Sequence, residues 1–273
     1  MMKYSVLMSV YHKEQSEFLN IAMDSMFKQT ASPDEFVLVC DGPLTEELDA
    51  VISQKEKEYP SVLKVIRLDQ NGGLGKALQI GIEKCRNELI ARMDSDDISL
   101  LDRCEKQLKY MQNHPDISVV GGTIAEFETN PAEHFYKRVL PENSEELVEF
   151  SKYRNPFNHV SVMYRRKDVL DAGGYEHFPS LEDYYLWIRM FMKGYKGYNL
   201  QDTLTYVRVG NGMFSRRSGR EYARNQRKLF RFMMDQKYIT RTQYYKAAIG
   251  RTVVSEAPII VRKLFYDMFL RQQ

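Results

Sequence analysis

The sequence predicts an α/β protein: a mostly parallel, mixed sheet flanked by helices, with a helical C-terminal appendage. Three observations carry this. Short apolar runs alternate with amphipathic helical patterns as far as Gly122, and such alternation folds into parallel strands joined by right-handed crossovers. After Gly122 the pattern loosens, and a mixed or antiparallel part of the sheet is expected. From Gly219 onward the chain reads as helix, with basic residues interleaved among Phe, Leu, Met and Tyr.

The elements follow in order. Tyr4 to Val10 is a strand. Phe18 to Phe27 has helical periodicity, with Leu19, Ala22, Met23 and Met26 on one face. Phe36 to Cys40 is a continuous apolar run of the buried parallel-strand kind. Glu46 to Tyr59 is a charged helix stopped by Pro60, Val62 to Leu68 a strand, and Leu74 to Cys85 a helix. Glu88 to Arg92 is apolar-rich and leads, through a strand over Leu89 to Met93, into Asp94-Ser95-Asp96-Asp97. Leu101 to Asn113 is a helix ended before Pro115, and Ile117 to Val120 begins the next strand. Thr123 to Phe127, Phe135 to Leu140, Val160 to Tyr164 and Leu204 to Val209 are later strands, and Leu181 to Met192 is a helix.

Of the 273 residues, 43% are hydrophobic and 28% charged, an ordinary balance for a globular protein. The net charge of +2 is unevenly spread. From Arg216 to the end stand 14 Lys/Arg against 4 Asp/Glu, and the remainder carries 25 against 33. Such a tail suits an anionic surface or is a basic helical face in water. Cys40, Cys85 and Cys104 form no CxxC pair, so reduced thiols in a cytosolic compartment are expected. A strand pattern already at Tyr4 leaves no room for a signal peptide. No run of about 18 apolar residues predicts a membrane-spanning helix. The five histidines show no metal-ligand spacing.

Chemistry concentrates at strand ends. Asp94, Asp96 and Asp97 fall within four residues at the end of a strand, where open α/β sheets bind ligands. Clustered carboxylates invite a cation, and oxygen ligands suit Mg²⁺ or Mn²⁺ held together with substrate phosphates. The same run also reads as a solvated turn capping the next helix, with Ser99 and Asp102 at capping-box spacing. Asp41, before Gly42-Pro43, is placed to accept from a base or ribose, or to bond its own turn. Asn71-Gly72-Gly73-Leu74-Gly75-Lys76 opens a helix whose N–H groups face phosphate, or is a flexible turn. Glu182 and Asp183 begin a helix, either as a cap with Ser180 or as a general base aimed into a cleft. His159 closes the polar loop Asn155–His159. Trp187, one turn after Asp183, is a core residue or a platform for a sugar.

In order and spacing these segments resemble the family 2 glycosyltransferases of the GT-A (Rossmann-like) fold over about the first 215 residues. The resemblance rests on Ser5–Tyr11, Val39–Gly42, Asn71–Gly75, Ala91–Asp97, the Asn155–His159 loop and Leu181–Trp187. It implies a catalytic domain over 1–215, with nucleotide-sugar binding in about 1–122 and an acceptor part in about 123–215, and a basic helical region over 216–273. The subgroup it looks like builds bacterial capsule, exopolysaccharide or O-chains. By that resemblance Val10 and Tyr11 line the nucleotide pocket, Asp41 contacts the base, and Asn71, Gly72 and Lys76 belong to the donor site. Asp94 and Asp96 are the DxD pair, Asp94 near ribose and metal and Asp96 on Mn²⁺ or Mg²⁺. Asp183 is the base. Glu182, His159, Trp187, Arg216 and Arg217 serve the acceptor or assist.

The implied reaction moves a sugar from a nucleoside-diphosphate donor, a UDP-sugar first, to a glycan or polyprenyl-diphosphate-linked acceptor. With one carboxylate opposite the leaving group, single displacement with inversion is expected; retention by double displacement would want a second. Three positions depart from the family pattern: Cys40, Gln79-Ile80-Gly81, and the absence of a His after Tyr206-Val207-Arg208. Val261, Leu264, Phe265 and Met268 make a stripe flanked by Arg262, Lys263 and Arg271. It would dock on a membrane surface, on the catalytic domain or on a second copy of the chain. A cytoplasmic enzyme, peripheral at the inner face of the plasma membrane, is the resulting expectation. The competing readings are a sugar nucleotidylyltransferase, whose Gly-rich basic N-terminal loop Ser9 to Glu14 does not supply, and a non-catalytic nucleotide-sugar binder. Nucleic acid is not an expected partner, because no RNA or DNA motif is present.

Overall fold

Strands β1 (Tyr4–Val10) and β2 (Glu35–Cys40) are buried on both faces, as their near-unbroken apolar runs require. The computed structural model describes residues 2–133, 136–209 and 219–247. Between β1 and β2 lies α1 (Ser16–Phe27). Next come α2 (Glu46–Glu58), β3 (Leu63–Arg67), α3 (Leu74–Lys84) and β4 (Leu89–Met93). Thr45 caps α2 by accepting from the Leu48 N–H. Two-residue β5 (Ile98–Ser99) precedes α4 (Arg103–Asn113) and the long β6 (Ile117–Phe127). Then follow β7 (Tyr136–Arg138), α5 (Ser144–Ser151), β8 (Met163–Arg165), α6 (Arg166–Asp171), α7 (Glu182–Met192), β9 (Lys196–Arg208) and α8 (Gly219–Asp235).

The sheet order is β3-β2-β1-β4-β8-β6-β9-β5, with β7 paired to β6. β1 runs parallel to β2 and β4, and β2 to β3. β8 is antiparallel to both β4 and β6, so the parallel half gives way to a mixed half. This is the α/β architecture read from the sequence. The order 3-2-1-4 reverses direction between β1 and β4, and the crevice at that switch point is where such sheets hold ligands.

Side chains alternate across the sheet. Val6, Met8, Leu38, Ala91 and Met93 pack in one core with residues of α1, α2 and α4. Leu7, Val37, Val39 and Ile90 pack in the other with Ala77 and Leu78 of α3 and Leu186, Trp187 and Met190 of α7. A third cluster joins α8 to α7, where Leu229, Phe230 and Met233 cover Leu181, Tyr184 and Ile188.

Three elements differ from their expected bounds. Val160 to Tyr164 is not one strand: His159–Ser161 forms a 3-10 turn, and pairing starts only at Met163. β9 begins at Lys196, well before Leu204. Its polar first half is held against β6, and Asn199 bonds Pro141 and Pro156 carbonyls. β6 does not break at Gly122; a Cβ there would meet Leu204 Cδ1 at 2.3 Å, so glycine permits the close approach of β9. The three cysteines are buried and free. Among the described residues no helix is long and apolar enough to cross a membrane.

Candidate active site

The site gathers at the carboxyl ends of β1, β2 and β4. Asp41 follows β2 and is buried. Its two oxygens accept from the Gly72 and Gly73 N–H groups at 2.7 and 2.9 Å, and its carbonyl accepts from Asn71 Nδ2 at 3.1 Å. One aspartate thus shapes the whole glycine-rich loop before α3. Lys76 lies alongside Gly72 and is exposed.

β4 delivers the aspartate cluster. Arg92, almost wholly buried, donates from Nη2 to Asp94 Oδ1. Burial opposes its charge, but Asp94 and Asp183 hold the guanidinium above its ordinary range. Ser95 donates to Glu14 Oε2 at 2.6 Å, tying the loop to the segment after β1. Asp97 turns inward and accepts the Arg208 N–H at 2.8 Å, while Arg208 Nε donates to the Asp96 carbonyl at 3.2 Å. Burial first, and then the charges of Asp96 and Asp94, push Asp97 well above the usual carboxylate range.

α7 supplies the opposite wall. Ser180 takes a φ of 66°, a left-handed conformation that costs a side chain roughly 1–2 kcal/mol. That turn presents Glu182 and Asp183 at the helix start. Asp183 Oδ2 accepts from Asn155 Nδ2 at 2.6 Å, and Oδ1 from the Tyr184 N–H at 2.7 Å. Glu182 packs against Gly75, and burial, with Asp183 adding to it, raises its carboxyl. His159 Nε2 and Tyr175 Oη are 2.9 Å apart. Burial, and then Arg92, hold this imidazole well below its ordinary range.

A family model for glycosyl transferase family 2 matches residues 5–174. The chain belongs to glycosyl transferase family 2. This family 2 glycosyltransferase is 38% identical over 267 residues to the amylovoran biosynthesis glycosyltransferase AmsE of Erwinia amylovora, covering 97% of this chain and 98% of that one. It is 34% identical over 271 residues to the UDP-Gal:alpha-D-GlcNAc-diphosphoundecaprenol beta-1,3-galactosyltransferase of Escherichia coli, covering 99% and 97%. Among solved structures, S. aureus TarS 1-349 in complex with UDP-GlcNAc superposes with a TM-score of 0.69 at 17% identity, covering 97% of this chain and 79% of that one. The mannosyltransferase PcManGT of Pyrobaculum calidifontis, in complex with GDP-Man and Mn²⁺, gives 0.63 at 13% identity, covering 97% and 79%. The fold is GT-A.

Several expected residues stand differently in this glycosyltransferase. Trp187 is fully buried against Phe157, His159 and Tyr164, so its indole is core and not a platform for a sugar. The Val10 side chain is likewise in the core. The Gly72 N–H donates to Asp41 Oδ1 at 2.7 Å. Neither capping box forms, because Ser99 pairs in β5 and Ser180 turns away at positive φ. Arg216 and Arg217 lie outside the described residues, as does the stripe from Val261 to Met268.

For a divalent ion the loop offers oxygen donors of one kind. No group of three His, Cys, Asp or Glu is assembled as a cage among the described residues. Asp97 points inward to Arg208, which leaves Asp94 and Asp96. Two carboxylates with diphosphate and water completing the shell is the usual way Mg²⁺ is held. The residues present therefore fit such an ion. Sequence reasoning passed over Arg92, Glu14, Asn155 and Arg208 as site residues, and it counted Asp97 with the exposed cluster although that carboxylate is buried. The one signal was Arg92 itself, a charge inside an otherwise apolar strand.

Proposed function

We propose that this glycosyltransferase moves a sugar from a nucleoside-diphosphate donor, UDP-linked, to a hydroxyl of a lipid-linked glycan, with inversion at the anomeric carbon. The observation that carries the reading is the placement of Asp183 at the start of α7, held by Asn155, with Arg92 paired to Asp94 at the end of β4. A sugar hydroxyl is a poor nucleophile, so a fixed carboxylate must take its proton as it attacks. Asp183 fills that role. Asn155 fixes one of its oxygens and the α7 backbone the other. Asp41 and the glycine loop shape the base end of the donor pocket. Asp94 and Asp96 would hold Mn²⁺ or Mg²⁺, which supplies charge neutralisation for the departing diphosphate.

The lipid-linked acceptor draws support from the Escherichia coli relative, whose name specifies a diphosphoundecaprenol substrate. The outer face of α8 adds to it: Arg220, Arg224, Lys228 and Arg231 are exposed along one side. Spaced so, they suit anionic headgroups of a membrane surface.

The test is a donor panel read by nucleoside-diphosphate release, with and without chelator. Activity is expected with a UDP-sugar and is expected to fall to background in EDTA. Asp183→Asn should lower kcat by about a thousandfold, the middle of the range for a general base, with donor affinity little changed. Full turnover by Asp183→Asn would remove the base from the mechanism.

A further inference from the structure

Arg92 is costly where it stands. It sits in β4 among Leu89, Ile90, Ala91 and Met93, all buried, and points into the core that holds Tyr164, Tyr175 and Trp187. Its backbone is fixed on both sides, with the N–H on the Val162 carbonyl at 2.9 Å and its own carbonyl accepting from Arg103 Nη2 at 2.7 Å. Of the guanidinium nitrogens only Nη2 has a partner, Asp94; Nε and Nη1 are buried without one. Buried polar groups are normally satisfied. The side chains around it, His159, Tyr164 and Tyr175, are neutral, and the negative charges that stabilise it are Asp94 and Asp183. Both belong to the candidate site, Asp94 after β4 and Asp183 at the start of α7.

We propose that Arg92 is a positioning residue for sugar transfer, a buried cation that clamps Asp94 toward the donor. Asp94 is thereby held in the orientation the donor meets. The inference rests on the proposed transfer reaction, but the clamp itself is measurable without turnover.

A purely structural ion pair makes the opposite forecast. Such pairs can be replaced by a hydrophobe of similar volume at little cost. Arg92→Met and Arg92→Lys are therefore compared in the full chain, by urea unfolding, by calorimetric binding of UDP-sugar with Mn²⁺, and by kcat and KM. Arg92→Met is expected to fold, to bind donor about tenfold more weakly and to lose about a hundredfold in kcat, the range seen when a group orienting a ligand is removed. Arg92→Lys restores the charge without the planar fork and should fall between Met and wild type in both measures. Donor affinity and kcat within twofold of wild type in Arg92→Met, or a lysine variant no better than methionine, would overturn the proposal. If Arg92→Met does not fold, Arg92→Lys decides alone, and wild-type donor affinity in it counts against the clamp. Asp94→Asn, made in wild type and in Arg92→Met, supplies a double-mutant cycle in urea stability. Additive effects would refute the clamp. Wild-type protein that binds no nucleotide sugar would instead refute the transfer reading, and the cycle would still judge the clamp.

Discussion

Among the described residues each side of the sheet buries one arginine, and the two are kept in opposite ways. On the side of α1 and α4, Arg103 is fully buried and makes no salt bridge. Its Nε donates to Gln107 Oε1 at 3.1 Å, Nη1 to Met93 Sδ at 3.4 Å, and Nη2 to the Arg92 and Val162 carbonyls at 2.7 and 3.2 Å. Burial pushes this guanidinium below its ordinary range. On the side of α7, Arg92 leaves two nitrogens unpartnered and is sustained by carboxylates of the site. The contrast separates a charge that serves the fold, satisfied locally by neutral acceptors, from a charge whose acceptors have work elsewhere.

The contrast breaks most readily at Arg103. Arg103→Met strips a donor from the Arg92 carbonyl and from Gln107 Oε1, each orphaned group costing about 1–3 kcal/mol. A stability loss of roughly 3 kcal/mol or more is expected by urea unfolding, well beyond that of Arg92→Met. Equal losses at the two positions would erase the distinction. Gln107→Leu tests the same side more gently. The Gln107 Nε2 group bonds the Val120 and Ser161 carbonyls at 2.7 and 2.8 Å, so its removal should cost about 2 kcal/mol with kcat unchanged in the folded protein.

The smallest effect is one of pH, on the other side of the sheet. Folding holds His159 below its ordinary value of 6.5 through burial and then through Arg92. As pH falls past that value the unfolded chain takes up a proton and the folded chain does not. Stability present above about 6.5 is therefore lost progressively below it, down toward the folded value. Unfolding midpoints followed between about pH 8 and pH 5 should decline for wild type and flatten in His159→Gln. Parallel curves would show that the imidazole is charged or unfolded-like in the native state.

The parallel half of the sheet was legible because β1, β2 and β4 are apolar runs bounded by turns, and α1 and α3 carry plain helical faces. β9 was half legible: Lys196 to Thr203 is polar and is held by pairing with β6, which no local pattern announces. Spacing misled at both capping boxes, since Ser99 was claimed by a strand and Ser180 by a left-handed turn. Trp187 beside Asp183 could equally be core or contact, and only packing against Phe157 and Tyr164 decides. Arg92 left one trace, a charge inside an apolar strand, but an arginine at a strand end ordinarily reaches solvent. The core on its side of the sheet includes Leu186, Trp187 and Met190 of α7, more than ninety residues further on.

The family match stops at residue 174, yet α7 starts at Glu182 and is roofed by α8. A gene fragment cut at the end of that match would keep Asp41, Asp94 and Asp96 and lose Asp183, together with β9, the strand beside β6. Trading C-terminal arms between relatives would exchange the helix packed on Leu181, Tyr184 and Ile188 while sparing the glycine-rich loop and the aspartate run.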